Sequence, residues 1–164
     1  MNIFILDNDM VKSASYLFDS HITKMPTEMG QMLACCYTKE DLKDAPLTKT
    51  GNVRGHSHYN HPCSKWVRES TGNFLWGLNY AFAMCSEKEY RYPNNGEHGI
   101  RIFLDWCSEH VATLPESDGV TPHVKCMPDH CKSNGVVESY RTLYTKEKAH
   151  LAKWTRRWPP EWWN

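Results

Sequence analysis

The side chains best suited to chemistry lie near the front of the chain, where His21, Lys24, Glu28 and Gln31 recur at i, i+3, i+7 and i+10. At about 100° per helical residue these four share one stripe roughly 80° wide. An imidazole, an amine and a carboxylate opening on one cleft can trade protons with a bound molecule and stabilise charge on it, with Glu28 as the principal carboxylate and His21 and Lys24 beside it. Next to this stripe Ile22, Met25, Met29, Met32 and Cys36 form an apolar one that would face a core, so the polar stripe belongs at a rim. A plainer reading is a solvated face on which Lys24 and Glu28 make an i, i+4 ion pair contributing roughly 0.2–0.5 kcal/mol. Pro26 interrupts the pattern. It disfavours helical backbone at Met25 and lacks a donor, so it predicts a kink or a fresh helix start. In the second case Glu28 falls in a first turn, where the helix dipole holds it ionised.

The run Asn60-His61-Pro62-Cys63, followed by Trp66, Arg68, Glu69 and Ser70, reads as a helix start with Pro62 in the first position. Free amide N–H groups there, with His61 beside them and Arg68 one turn on, suit a phosphate. Capping by Asn60 or Ser64 and burial of Trp66 account for the same residues more plainly. Two His/Cys clusters, His56-x-His58-x2-His61-x-Cys63 and Cys126 with His130 and Cys131, raise the question of a metal. Zinc sites pair short ligand elements across a longer gap, a spacing that neither cluster shows cleanly, so loop histidines and free thiols are expected and no metal or cofactor.

The last twelve residues put Trp154, Trp158, Trp162 and Trp163 among Lys153, Arg156 and Arg157. Flat aromatic faces beside guanidinium groups suit stacking on bases and pairing with phosphates, and Arg91, Arg141, Lys146 and Lys148 could extend the same positive face. The alternative is an aromatic clamp that fastens the C-terminus to the core.

These groups must be carried by a scaffold of 164 residues with 40% apolar side chains, enough for one domain with a real core. Basic and acidic residues balance at 19 each, which excludes a polybasic protein and confines any nucleic-acid site to a local patch. No apolar run is long enough for a membrane span, and residues 1–6 lack the flanks of a signal peptide, so a soluble intracellular protein without a membrane partner is expected. Seven cysteines, with Cys35 and Cys36 adjacent, form no disulfide framework. Walker A, G-x-G-x-x-G, G-x-S-x-G and H-E-x-x-H motifs do not occur.

Helical periodicity dominates. Residues 2–6 read as a short strand or an apolar anchor. Asp7, Asn8 and Asp9 offer caps for a helix through Phe18, and a second helix runs from about Asp19 to Tyr37. Further helices follow Pro62, span Phe74 to Cys85 after a break at Thr71-Gly72-Asn73, cover Ile100 to Val111, and run from Val136 through Tyr144. Segment 38–60, polar and containing Pro46, Gly51 and Gly55, and segment 112–135, dominated by Pro, Gly, Asp and Ser, are long loops, and 153–164 is the tail. The expected fold is mostly α: a compact single-domain helical bundle.

The stretch Asp19-Ser-His21-Ile-Thr-Lys-Met-Pro-Thr-Glu28 resembles the start of the pyrimidine-dimer DNA glycosylases of the phage endonuclease V type, in which Asp-x-His precedes a catalytic Glu by the same interval. The likeness covers residues 1–37. Asn60-His61-Pro62-Cys63 with Trp66 and Arg68-Glu69-Ser70, then Ser139-Tyr140-Arg141, then Trp154-Thr155 through Pro160-Glu161-Trp162, resemble a group of small bacteriophage proteins. The first resemblance implies an all-helical enzyme that binds double-stranded DNA, flips a base and attacks sugar C1′ with an N-terminal amine through a Schiff base. Glu28 would stabilise or protonate the opened sugar and His21 would orient it. The family's amine sits on a small second residue exposed by methionine removal, whereas Asn2 is poorly suited to that, and Thr27 and Gln31 stand where its arginines flank the Glu. The phage likeness places the protein in the cytoplasm of an infected bacterial host. A transferase modifying pyrimidines, or a non-catalytic module that binds a host protein, are the other expectations.

Overall fold

A computed structural model describes residues 1–163; Asn164, the last residue of the tail, lies outside them. Six α-helices carry the fold: α1 (Met10–Tyr16), α2 (Asp19–Ala34), α3 (Pro62–Val67), α4 (Thr71–Arg91), α5 (Arg101–Glu109) and α6 (Val136–Glu147). Single 3-10 turns occur at Asp41–Lys43, Pro93–Asn95, Asp129–Cys131 and Ala149–Leu151. There is no β-strand among the described residues, and no helix is long and apolar enough to cross a membrane.

The 21-residue α4 is the axis, with α1, α2, α3 and α5 packed around it. Its Phe74, Leu78, Ala81 and Cys85 are buried at helical spacing and join Ile22, Met29 and Met32 of α2, Phe103 and Leu104 of α5, and Tyr140 and Tyr144 of α6 in one continuous apolar core. Ser70 caps α4 by accepting from the Asn73 N–H, so Thr71-Gly72-Asn73 is its first turn rather than a break. Gly72 is required there because a Cβ would run into the Gly119 carbonyl.

Pro26 neither kinks α2 into two helices nor restarts it. The buried row Ile22, Met25, Met29 and Met32 outweighs the local proline cost of about 3 kcal/mol. Glu28 therefore sits well inside the helix, away from the N-terminal dipole. Asp9 caps α1 as the sequence suggests, whereas α2 starts without a side-chain cap and its Asp19 N–H donates to the Lys153 carbonyl of the tail at 2.9 Å.

Residues 2–6 form the apolar anchor. Ile3 to Leu6 are buried, and side chains satisfy their backbone in place of a neighbouring strand. Leu6 N–H donates to Ser13 Oγ at 2.9 Å, Tyr80 donates to the Phe4 carbonyl at 2.6 Å, and Arg141 Nε donates to the Leu6 carbonyl at 2.9 Å. Segments 38–60 and 112–135 are irregular apart from one 3-10 turn each, pinned by buried Leu42, Ala112 and Cys131.

The tail is mostly a clamp. Trp154 donates from its indole N–H to the Tyr16 carbonyl at 2.9 Å and meets Phe18 and Trp163 edge-on, while Trp162 meets Tyr16. Trp158 alone of its four tryptophans stands out, 92% exposed.

Candidate active site

The anchor and α2 deliver three charged groups to one place. The Asn2 side chain donates to the Cys126 carbonyl at 2.8 Å and accepts from Tyr140 Oη–H at 2.8 Å, which fixes the chain just after Met1. The Met1 α-ammonium then lies 3.4 Å from Glu28 Oε2, and Lys24 Nζ lies 2.7 Å from Glu28 Oε1. Each carboxylate oxygen thus faces an amine. Glu28 is 7% exposed. Burial alone would raise its pKa, but the hydrogen bond from Lys24 and the α-ammonium more than offset this and hold the carboxyl below its ordinary range. These ammonium groups keep Glu28 ionised in place of the helix-start dipole the sequence suggested. Lys24 is 68% exposed, so it borders the solvent side of the site.

His21 lies on the same helix stripe but faces a different wall. Its ring stacks on Phe4 with centroids 4.5 Å apart, lies against Phe18, and its Nδ1 shares a 2.6 Å hydrogen bond with the Tyr144 hydroxyl. Burial, reinforced by the charges of Lys148 and Lys24, pushes its pKa down to about 4, so the imidazole is neutral at pH 7 and orients its neighbours without donating charge. Lys148 rests over the Phe4 ring at 5.5 Å. The structure therefore brings Glu28 to Lys24 and Met1, while His21 lines the aromatic backing formed by Phe4, Phe18 and Tyr144. Gln31, half-buried, follows one turn beyond Glu28.

Several of the basic residues expected to hold phosphates are paired within the protein, and Arg91 is buried there. Arg91 is 1% exposed and donates to Glu87, Asp19 and the Leu17 and Ser15 carbonyls, all at 2.8–3.0 Å, so it cannot present itself to a duplex. Asp19 also accepts from Thr155 N–H and Oγ1–H; although burial raises its pKa, these bonds and Arg91 lower it overall. Arg157 pairs with both oxygens of Glu87 at 3.0 and 2.8 Å, and Arg141 pairs with Asp7 and lies over Trp162. Trp154 is a packing residue, and Lys153 contributes its carbonyl to the start of α2. Arg156, exposed and in the left-handed region at φ 61°, lies over Tyr90.

His61, and neither Asn60 nor Ser64, caps α3, its Nδ1 accepting from the Cys63 N–H at 3.2 Å. Arg68 lies flat over Tyr59 and borders an open depression with Lys65, Trp66 and Glu69. The H-x-H-x2-H-x-C cluster does not converge as a unit: His56 bonds the Tyr37 carbonyl and His58 bonds Ser57. His61 and Cys63 instead meet Cys126 from the distant second cluster, and the three ligand atoms lie within 4.8 Å of one another. Cys63 donates to Cys126 across an Sγ–Sγ distance of 3.5 Å. That hydrogen bond raises the Cys63 thiol and lowers the Cys126 one. His130, Cys131 and Glu147 form a second, more exposed group.

Met1, Phe4 and Tyr144 were not legible as site residues from spacing, while Lys148, expected on the positive face, rests over Phe4. Compared with known proteins, the chain matches no family model, no curated protein and no solved structure.

Proposed function

We propose that the protein is a DNA glycosylase-like enzyme that acts on a flipped pyrimidine base or its sugar, using an amine beside Glu28 as nucleophile. The observation that carries this reading is the pairing of one buried carboxylate with two amines, the Met1 α-amine on one oxygen and Lys24 on the other. The resemblance of Asp19-x-His21 and Glu28 to pyrimidine-dimer glycosylases calls for an amine at this carboxylate, and two lie beside it, Lys24 Nζ and the Met1 α-amine.

The chemistry follows from the geometry. Glu28 takes a proton from the ammonium, and the freed nitrogen attacks C1′ as the glycosidic bond breaks and the base leaves with its electron pair and a proton. Opening the C1′–O4′ bond then gives an imine, with Glu28 returning a proton to O4′; water hydrolyses the imine and frees the amine. The ionised carboxylate also stabilises the cationic iminium. Lys24 and Lys148 at the rim draw in phosphate. Flipping costs a few kcal/mol, and stacking on the exposed Trp158 at about 1–3 kcal/mol per base offsets part of it. The same exposed indole favours a second reading, a module that docks on a host protein.

The test is incubation with duplexes carrying damaged or modified pyrimidines in the presence of borohydride. The expected result is a covalent adduct mapping by mass spectrometry to Met1 or Lys24, with turnover lost in Glu28→Gln while duplex affinity persists. Adding two residues ahead of Met1 moves the α-amine away and should abolish a Met1 adduct. Equal turnover in Glu28→Gln, or product release without any trapped adduct, would overturn the assignment.

A further inference from the structure

We propose that His61, Cys63 and Cys126 bind a zinc-class divalent ion, with three protein donors and a water completing a tetrahedron. The donors come from places that nothing in their spacing links. His61 and Cys63 flank the start of α3, and Cys126 lies in the irregular 112–135 segment. The fold nevertheless brings all three ligand atoms within 4.8 Å of one another.

The sulfur–sulfur separation suits the ion. Two thiolates on a tetrahedral zinc, each about 2.3 Å from the metal, stand roughly 3.8 Å apart, and a thiolate and an imidazole nitrogen stand roughly 3.6 Å apart. The Cys63–Cys126 separation of 3.5 Å needs only a few tenths of an ångström of opening. Closing the same pair to a disulfide at about 2.05 Å requires a larger movement of the two sulfurs. Asn2 holds the Cys126 carbonyl at 2.8 Å and Tyr140 Oη accepts from the Cys126 N–H at 3.4 Å, whereas the His61 ring must give up its 3.2 Å acceptance from the Cys63 N–H to present a lone pair to the ion. The first two, as outer contacts, pre-orient Cys126.

The donor set selects the ion class. Two soft sulfurs and an imidazole favour zinc over magnesium or calcium, which take oxygen ligands. Two thiolates and a neutral imidazole also cancel a double positive charge, so the ion is compatible with the nearby Met1 ammonium. Binding releases the thiol protons of both cysteines to solvent, including the one that Cys63 now donates to Cys126. Three protein ligands leave one coordination position for water, the arrangement of a reactive rather than a sealed zinc site. An ion here would also fasten the 112–135 segment to α3 and the N-terminal anchor.

The site is tested on the full chain, reduced, stripped with chelator, and titrated with Zn2+ against a chromophoric competitor. One equivalent should bind, and thermal stability should rise with it. Cobalt substitution should give thiolate-to-cobalt charge-transfer absorption, about halved in Cys126→Ser and unchanged in Cys131→Ser. His61→Ala and Cys126→Ser should each weaken zinc by more than about 100-fold, beyond the 10–100-fold typical of losing an outer contact. Both keep the proposal testable should Cys63→Ser fail to fold. Glu28→Gln should retain zinc, which separates this site from the amine chemistry. The proposal fails if natively folded protein takes up no zinc at micromolar concentration. It fails equally if binding depends on His130 and Cys131 instead, or if the reduced chain, on return to non-reducing buffer, forms a Cys63–Cys126 disulfide and binds no ion.

Discussion

Replacing Arg91 by Met removes a buried guanidinium while keeping much of its apolar bulk. In the native protein this one group donates to Glu87 at 2.8 Å, to Asp19 at 3.0 Å, and to the Leu17 and Ser15 carbonyls at 2.8 Å each. Deleting one partner of a buried ion pair costs about 3–5 kcal/mol, because the other charge stays buried without compensation. Here neither carboxylate is left bare. Asp19 keeps the Thr155 N–H and hydroxyl, and Glu87 keeps Arg157 on both oxygens. The expected cost is therefore near the lower end, about 3 kcal/mol. At about 2–4 °C per kcal/mol for a chain of this length, the midpoint should fall by roughly 6–12 °C. Urea and thermal unfolding followed by circular dichroism at pH 7 measure it. A duplex-binding assay on the folded variant completes the experiment. A loss under about 1 kcal/mol, together with a salt-dependent drop in DNA affinity, would mean that Arg91 works outward on phosphate and that the buried network is misassigned.

Stability should fall as pH drops from 6.5 to 4. The unfolded chain protonates His21 near its ordinary value while the folded ring resists until about 4, so up to about 3 kcal/mol is lost across that window. His21→Asn should shrink this loss, leaving a residual slope from His123, which burial also lowers to about 4; an unchanged urea midpoint between pH 7 and 4.5 in the wild type would refute it. Below about pH 4 the lowered carboxyls of Asp19 and Glu28 add a further decline. Gly72→Ala should cost about 1–3 kcal/mol, because its Cβ meets the backbone carbonyl of Gly119; a neutral effect on the melting midpoint would show that the loop yields freely. Tyr140→Phe should cost about 1–3 kcal/mol by leaving Asn2 and Val124 without its hydroxyl, and it should slow borohydride trapping; unchanged trapping would show that Asn2 does not position Met1. Trp158→Ala should leave the thermal midpoint within about 0.5 kcal/mol of wild type and weaken duplex binding by an amount equivalent to about 1–3 kcal/mol. Unaltered binding would remove the indole from any stacking role.

Helices and their apolar faces were legible in the chain because a 3.6-residue period is a local property. Ile22, Met25, Met29 and Met32 declared the buried side of α2, and Asp9 its neighbour's cap, before any tertiary contact was known. The polar stripe bearing Lys24 and Glu28 was legible for the same reason, and so was the helix start at Pro62. Pro26 has a local preference against helix, and only the burial of the apolar row around it overrides that preference.

Which charges are free and which are internal was decided by tertiary structure alone. Arg91 and Asp19 look alike in sequence to exposed charges, and only the meeting of α4, α2 and the tail turns them into a buried network that Arg157 borders from the solvent side. The Met1 amine reaches Glu28 because Asn2 bonds residues well over a hundred positions away, and Cys126 reaches Cys63 through the same crossing. No local period encodes such encounters. They arise when an apolar anchor and a set of amphipathic helices close on one core, and the polar groups left at their junction must find each other or remain unpaired.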